Sequence, residues 1–154
     1  MLGEGDKAPS FKLESDLGKP FELKDFRGQI LVLYFYPKDN TPGCTREAQA
    51  FAAASKAFAK AGAAVVGISK DSVKSHIGFR EKYGLSFPLL SDPELVAHKA
   101  FGTYGEKNMY GKKVMGTIRS TFIIDAKGKI VRVFSNVRVD GHAEAVLDAI
   151  KQLK

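Results

Sequence analysis

The run ILVLYFY at residues 30–36 is a nearly unbroken stretch of apolar and aromatic side chains. Such a run is typical of a central strand that is covered on both faces. A loop at 37–43 follows it, and apolar or small residues then recur at spacings of three or four between Cys44 and Ala61. That spacing predicts a helix with one buried face, which Gly62 would end. The pattern therefore indicates a strand-loop-helix unit at the centre of the fold.

The same periodicities predict the elements on either side of this unit. We expect strands at 11–13 and 21–23 forming an N-terminal hairpin, a strand at 63–69, a helix at 73–83 closed by Gly84, an extended segment at 87–90, a helix from 93 to about 101, strands at 117–124 and 130–135, and a helix at 142–153. Residues 102–116 are rich in Gly and Lys and are predicted to be a loop. This order predicts an α/β fold with a central mixed sheet and helices on both faces. No internal repeat or linker interrupts residues 1–154, so we expect a single domain.

Charge and composition narrow the classes of function. Lys and Arg outnumber Asp and Glu by 24 to 17, but the longest basic run is Lys112-Lys113, so we do not expect a nucleic-acid partner. The chain contains no apolar run of about 18 residues, so no membrane span is expected. Its first residues, MLGEGDKAPSF, lack the basic and then apolar pattern of a signal peptide. These features predict a soluble, cytoplasmic protein.

The chain has one cysteine, Cys44, which excludes an intramolecular disulfide and any metal site that needs several cysteines. The three histidines, His76, His98 and His142, show neither HxH nor HExxH spacing. We therefore expect no metal and no cofactor, and we expect each histidine at the surface or half-buried.

Cys44 lies where the buried strand passes into the predicted helix. A helix N-terminus has unpaired N–H groups and partial positive charge, which stabilise a reactive thiolate. Thr41 is a candidate side-chain cap, Pro42 suits the first turn, and Gly43 lets the backbone approach a substrate closely. A buried, inert cysteine is the alternative. The position of Cys44 at the helix start favours a reactive cysteine over an inert one.

The segment YPKDNTPGCTRE at residues 36–47 resembles the active-site segment of the peroxiredoxins, whose signature Pro-x-x-x-Thr-x-x-Cys is matched by Pro37, Thr41 and Cys44. The longer wording YFYPKDNTPGCT is similar to the peroxiredoxin Q branch, also called the bacterioferritin comigratory proteins. GDKAP at 5–9, SDP at 91–93 and RSTFIID at 119–125 extend the similarity over most of the chain. The resemblance implies a thioredoxin-like fold.

The resemblance also implies a role for each matched residue. Cys44 would be the nucleophile that attacks the O–O bond of hydrogen peroxide or an organic hydroperoxide. Thr41 would align the peroxide oxygens, Pro37 would shield the cysteine from water, and Arg119 would hold the thiolate and stabilise developing charge. Glu47, which we assign with Gly43 to substrate binding, would orient an arginine. The function implied is a thiol-dependent peroxidase in antioxidant defence.

The sequence departs from this family in one respect. Many members of the branch have a second, resolving cysteine five residues after the first, and here that position is Gln49. The sulfenic acid formed on Cys44 would therefore need an external reductant such as thioredoxin, or glutaredoxin with glutathione. We expect a monomer or a weak homodimer.

Two other classes of function remain open from the sequence. The first is a redox-sensing binding protein in which oxidation of Cys44 changes contacts with a partner. The second is a basic nucleic-acid-binding module, whose binding would weaken with salt. A general disulfide oxidoreductase is disfavoured because Thr41 occupies the place of the first cysteine in a Cys-x-x-Cys pair.

Overall fold

A computed structural model describes residues 1–153. In chain order its elements are β1 (Lys12–Leu13), β2 (Phe21–Glu22), a 3-10 helix (Leu23–Phe26), β3 (Ile30–Phe35), α1 (Pro42–Ala53), α2 (Ser55–Lys60), β4 (Ala63–Ser69), α3 (Val73–Tyr83), β5 (Leu89–Ser91), α4 (Val96–Phe101), β6 (Tyr104–Met109), β7 (Lys112–Thr117), β8 (Ser120–Ile124), β9 (Ile130–Phe134) and α5 (His142–Gln152). The central sheet has five strands in the order β5-β4-β3-β8-β9. Its β3, β4 and β5 strands are parallel, whereas β8 is antiparallel to both β3 and β9. The predicted mixed sheet is therefore confirmed.

Both faces of the sheet are buried, which explains the unbroken apolar run of β3. Val32 and Tyr34 point into a core that also contains residues of α1, α2, α3 and α5. Leu31 and Leu33 point into the opposite core, which contains residues of α4 and of the N-terminal segment. Successive side chains of a strand point to opposite faces, so a strand between two cores must be apolar throughout. The N-terminal hairpin, β1 with β2, is present as predicted.

The predicted single helix at 44–61 is wrong, because the chain bends at Ala54 and divides it into α1 and α2. Ala54 has φ −93° and ψ 6°, outside helical geometry. The bend keeps both Phe51 and Phe58 buried on the sheet, with ring centroids 5.8 Å apart. The alanine-rich sequence contains no helix breaker, so it carries no local signal for this bend.

The prediction of a loop at 102–116 is also wrong, because β6 and β7 form a hairpin there. They pair from Tyr104 with Thr117 to Met109 with Lys112. The two turn residues, Tyr110 and Gly111, have φ of 51° and 78°, as a type I′ hairpin turn requires. Exposed charged residues interrupt the apolar alternation of both strands, so the pattern used to detect strands was missing. The helix expected from residue 93 begins later, at Val96.

The histidines do not lie where they were expected, at the surface or half-buried. His76, His98 and His142 are all buried. Each has a hydrogen-bonding side-chain partner, which is Asp39 for His76, Asp92 for His98 and Thr121 for His142. Such pairing offsets the cost of burying a polar ring, and it joins residues that the sequence separates. Among residues 1–153, no helix is long and apolar enough to cross a membrane.

Candidate active site

Cys44 lies in the first turn of α1, close to the end of β3, and its side chain is only 1% exposed. Thr41 is at the N-cap position, as the sequence predicted, and its backbone is extended. Its side chain does not cap the helix, however, which corrects the expected capping role. Its Oγ1 atom donates to the Lys38 carbonyl oxygen at 2.8 Å and so closes the turn before the helix.

Arg119 reaches Cys44 from the segment between β7 and β8. Its Nη2 atom donates to the Cys44 Sγ atom at 3.3 Å, and its Nη1 atom donates to Glu47 Oε1 at 2.6 Å. One guanidinium group thus contacts the thiol and a carboxylate one helical turn further along α1. A Cβ atom at Gly43 would lie 3.3 Å from Nη2, so the glycine leaves room for this close approach.

The pairing of β3 with β8 brings Arg119 to this position. In that antiparallel pair, Phe35 at the end of β3 lies opposite Ser120 at the start of β8. Arg119 precedes Ser120, and the loop that leads to Cys44 follows Phe35. Both segments therefore leave the sheet at the same edge, where the guanidinium and the thiol meet.

The Glu47 carboxylate is almost completely buried, and its Oε2 atom has no hydrogen-bond partner among residues 1–153. Burial raises the pKa of Glu47 to about 7, although the charge of Arg119 and its hydrogen bond act in the opposite direction. Burial lowers the pKa of Arg119, but Glu47 and Cys44 more than offset this effect, and the net pKa is raised. The guanidinium therefore remains a cation beside the sulfur.

His142 is a neighbour of this site that the sequence did not identify. Burial, and then the positive charge of Arg119, lower the pKa of His142 to about 4. Its Nε2 atom lies 2.7 Å from Thr121 Oγ1. At neutral pH the ring is uncharged, so Arg119 supplies the positive charge next to Cys44.

A cleft of about 580 Å³ opens above Cys44. Its lining includes Pro37, Thr41, Gly43, Cys44 and Arg119. Five of the six residues singled out from the sequence thus share one cavity. Glu47 is the sixth; it is absent from the lining and contacts the site through Arg119.

The β6–β7 hairpin, which the sequence prediction missed, also lines the cleft. Its apolar lining residues are Met109, Tyr110, Val114 and Met115. Tyr110 is fully exposed and Met115 is 60% exposed, so apolar surface faces solvent beside the reactive thiol. Exposed apolar surface of this kind is typical of a binding site. In the sequence, the apolar residues on both sides of the turn were the one indication of this hairpin.

Three lysines, Lys38, Lys70 and Lys107, also line the cleft. The Nζ atom of Lys107 donates to the Thr117 carbonyl oxygen at 2.9 Å. Burial, and then the charge of Arg119, lower the pKa of Lys107. No Asp or Glu is among the residues that line this cleft, so its charged groups are all basic. This arrangement favours anionic groups, including a thiolate and a negatively charged oxygen leaving it.

Comparison with known proteins shows the family of the chain. The model of the AhpC/TSA family matches residues 4–133, a segment that includes both Cys44 and Arg119. The chain belongs to the AhpC/TSA family. Within that family it resembles peroxiredoxin Bcp of Xanthomonas campestris, with 49% identity over 146 residues, or 94% of this chain and 91% of the relative.

Solved structures of AhpC/TSA relatives have the same fold. The Xanthomonas campestris bacterioferritin comigratory protein, studied for alkyl peroxide reduction, superposes with a TM-score of 0.88 at 47% identity, covering 92% of this chain and 90% of that one. Peroxiredoxin Q of Xylella fastidiosa, as a cysteine-to-serine mutant, superposes with a TM-score of 0.93 at 42% identity, covering 99% and 97%. The thioredoxin-like fold and the peroxiredoxin resemblance are confirmed. The chain is an enzyme, a thiol-dependent peroxidase, with a single cysteine.

Proposed function

We propose that Cys44 is the nucleophile that reduces hydrogen peroxide and organic hydroperoxides. The observation that carries this proposal is the 3.3 Å contact between Arg119 Nη2 and Cys44 Sγ in the cleft. The Cys44 thiolate attacks one peroxide oxygen, a sulfur–oxygen bond forms, and the O–O bond breaks. The leaving oxygen takes the electron pair and a proton and departs as water or an alcohol, and Cys44 becomes a sulfenic acid.

The residues around the sulfur have distinct roles in this step. Arg119 stabilises the thiolate and then the charge that develops on the peroxide oxygens, because its donors already point into the site. Thr41 aligns the peroxide, Pro37 limits the access of water, and Gly43 leaves space for the guanidinium and the substrate. Together they hold the two oxygens in line with the sulfur, the geometry that displacement requires.

The apolar residues of the β6–β7 hairpin favour a substrate that carries an apolar group. Met109, Val114 and Met115 provide surface against which the organic part of a hydroperoxide packs while its peroxide group reaches Cys44. The Xanthomonas campestris relative is described by its alkyl peroxide reduction activity. We extend that activity to this chain.

Reduction of the sulfenic acid requires a thiol from another molecule, because Cys44 is the only cysteine. A first thiol reacts with the sulfenic acid, forms a mixed disulfide with Cys44 and releases water. A second thiol then attacks the sulfur of the first, so that the two form a disulfide and Cys44 is released as a thiolate. We propose thioredoxin, or glutaredoxin with glutathione, as the reductant. The enzyme would act in cytoplasmic antioxidant defence, as one domain and as a monomer or weak homodimer.

The test is peroxide consumption by the purified protein with a panel of reductants, namely dithiothreitol, a thioredoxin system and a glutathione–glutaredoxin system. We expect many turnovers of hydrogen peroxide and of cumene hydroperoxide with at least one of the biological systems. Consumption of one equivalent of peroxide without turnover under every reductant would contradict the proposal. It would favour a redox-sensing protein.

A further inference from the structure

The carboxylate of Asp39 is the centre of a buried network next to the cleft. It lies in the loop between β3 and α1, and its side chain accepts three hydrogen bonds. Tyr36 Oη donates to its Oδ1 atom at 2.6 Å. Ser75 Oγ and His76 Nδ1 lie 2.8 and 2.7 Å from its Oδ2 atom. The carboxylate thus joins the loop to α3, which contributes Ser75 and His76.

His76 connects this carboxylate to the sheet. The ring is fully buried, and its Nε2 atom lies 3.0 Å from the Leu90 carbonyl oxygen of β5. The two ring nitrogens therefore lie within hydrogen-bond distance of a carboxylate on one side and of a backbone carbonyl on the other. Burial raises the pKa of Asp39, but the hydrogen bond and charge of His76 outweigh it and the net pKa is lowered. The loop is therefore attached to both α3 and β5.

Contacts of the loop backbone restrict it further. The Asp39 N–H donates to Asp71 Oδ2 at 2.9 Å, and Asn40 has a positive φ of 63°. Pro37 and Thr41, which lie two residues before and two residues after Asp39, both line the cleft. A satisfied buried polar network is rigid, so the position of Asp39 determines where these two side chains lie relative to Cys44.

We propose that Asp39 and His76 are positioning residues for the peroxide reaction, because they hold the loop that carries Pro37 and Thr41 against Cys44. This inference rests on the proposed function. Neither residue lines the cleft, so both act through the loop and not on the substrate. The network resembles the outer hydrogen bonds that fix the geometry of reacting groups in other enzymes.

The test compares two reactions of Cys44 in each variant, the second-order rates with hydrogen peroxide and with iodoacetamide. Reduction of peroxide depends on the alignment of its two oxygens by the loop, whereas alkylation requires only an accessible thiolate. We expect Asp39→Asn to lower the ratio of the two rates about tenfold or more, since small misplacements of reacting groups have effects of this size. Hydrogen exchange at the amides of residues 38–41 and 43 should become faster, while exchange in α5 stays unchanged.

A matched pair at His76 separates positioning from general destabilisation. In His76→Asn the amide nitrogen lies near the position of Nδ1 and still donates to Asp39, whereas in His76→Gln it lies near Nε2 and reaches only Leu90. We expect His76→Gln to lower the rate ratio as Asp39→Asn does, and His76→Asn to preserve most of it. Asp16→Asn is the control, because Asp16 is a buried carboxylate bound to Arg80 and Leu89 and lies outside the cleft.

Each outcome decides the question. An unchanged ratio in both Asp39→Asn and His76→Gln would overturn the positioning role, as would an equal fall in Asp16→Asn. If the wild type itself reacted no faster with peroxide than a free thiol does, the proposed peroxidase function would be contradicted, whatever the variants showed. Measurement of the wild type therefore distinguishes the two failures.

Discussion

The Nη2 atom of Arg119 lies 3.3 Å from the Sγ atom of Cys44, although the two residues are 75 positions apart in the chain. The same guanidinium also binds the buried carboxylate of Glu47 at 2.6 Å. Because Glu47 is part of α1 and binds Nη1, it holds the arginine with Nη2 directed at the sulfur. Most of the expected behaviour of the site follows from this arrangement of three residues.

Replacement of Arg119 by methionine should slow the reaction with peroxide by roughly a hundredfold, the typical loss for one preorganised charge-stabilising donor. Stopped-flow measurement of Cys44 oxidation would give this rate directly. Arg46→Met is the matched control, since Arg46 is an exposed arginine of α1 that pairs with Asp140 at the surface. Equal rates for wild type and Arg119→Met would show that the guanidinium has no part in the reaction.

Cys44→Ser should abolish turnover of peroxide while the protein remains folded, because a hydroxyl does not replace a thiolate nucleophile. The serine hydroxyl can still contact Arg119, so we expect similar circular dichroism spectra for both proteins. Peroxide consumption under excess dithiothreitol measures the activity. A folded variant that kept more than a tenth of the activity, a loss of less than about 1.4 kcal/mol in barrier, would exclude Cys44 as the nucleophile.

Glu47 should make the stability of the protein depend on pH. Burial raises the pKa of Glu47 from the 4.5 of an unperturbed glutamate to about 7 in the folded protein, so the folded state retains a proton that the unfolded state releases between these values. The unfolding free energy should therefore fall as the pH rises through this range. Relative to Glu47→Gln, we expect the wild type to lose about 1 to 3 kcal/mol between the two pH values.

Urea unfolding at several pH values would measure the effect of Glu47, with Glu144→Gln as a control because Glu144 is an exposed residue of α5. That control should follow the wild type at every pH. A constant difference between wild type and Glu47→Gln over the whole range would mean that burial does not hold the proton on Glu47.

The β6–β7 hairpin should determine the preference between peroxides. We expect the double variant Met109→Ser and Met115→Ser to raise the KM for cumene hydroperoxide about tenfold, the loss expected when apolar contacts worth about 1.4 kcal/mol are removed. The rate with hydrogen peroxide, which has no apolar group, should stay the same. Val96→Ser, at an exposed apolar position of α4, is the control. An equal change for both peroxides would contradict a binding role for the hairpin.

Gln49→Cys should form an internal disulfide with Cys44 after treatment with peroxide, but only if the start of α1 unwinds. Residues five apart in a helix have Cα atoms about 8.6 Å apart, beyond the limit of about 7 Å for a disulfide. Cys44 is also buried and Gln49 exposed, so the two side chains lie on different faces. We expect a monomer without free thiols on a non-reducing gel, together with a loss of helical circular dichroism. Dimers or sulfinic acid alone would show that α1 is too rigid to open.

Some parts of the fold were predictable because their signals are local. The run at 30–36 has the composition of a strand buried on both faces, and β3 occupies residues 30–35. The helix that carries Cys44 was predicted to begin within two residues of its observed start at Pro42. The β6–β7 hairpin was missed for the opposite reason, since its strands are mostly exposed and lack the alternation that burial imposes.

The sequence by itself determined the strands and helices of the central fold, the family and the position of Cys44 at the start of a helix, because these depend on composition and order within short segments. The resemblance already implied Arg119 beside the sulfur, but only the tertiary structure revealed the contact geometry, the β6–β7 hairpin in the cleft and the buried network behind the loop. Arg119 reaches it through the register in which Phe35 lies opposite Ser120, and the buried Asp39–His76 pair joins a loop to a helix 37 residues away. Contacts between segments so distant in the chain depend on how the sheet pairs and how the helices pack on it, and local sequence does not encode either.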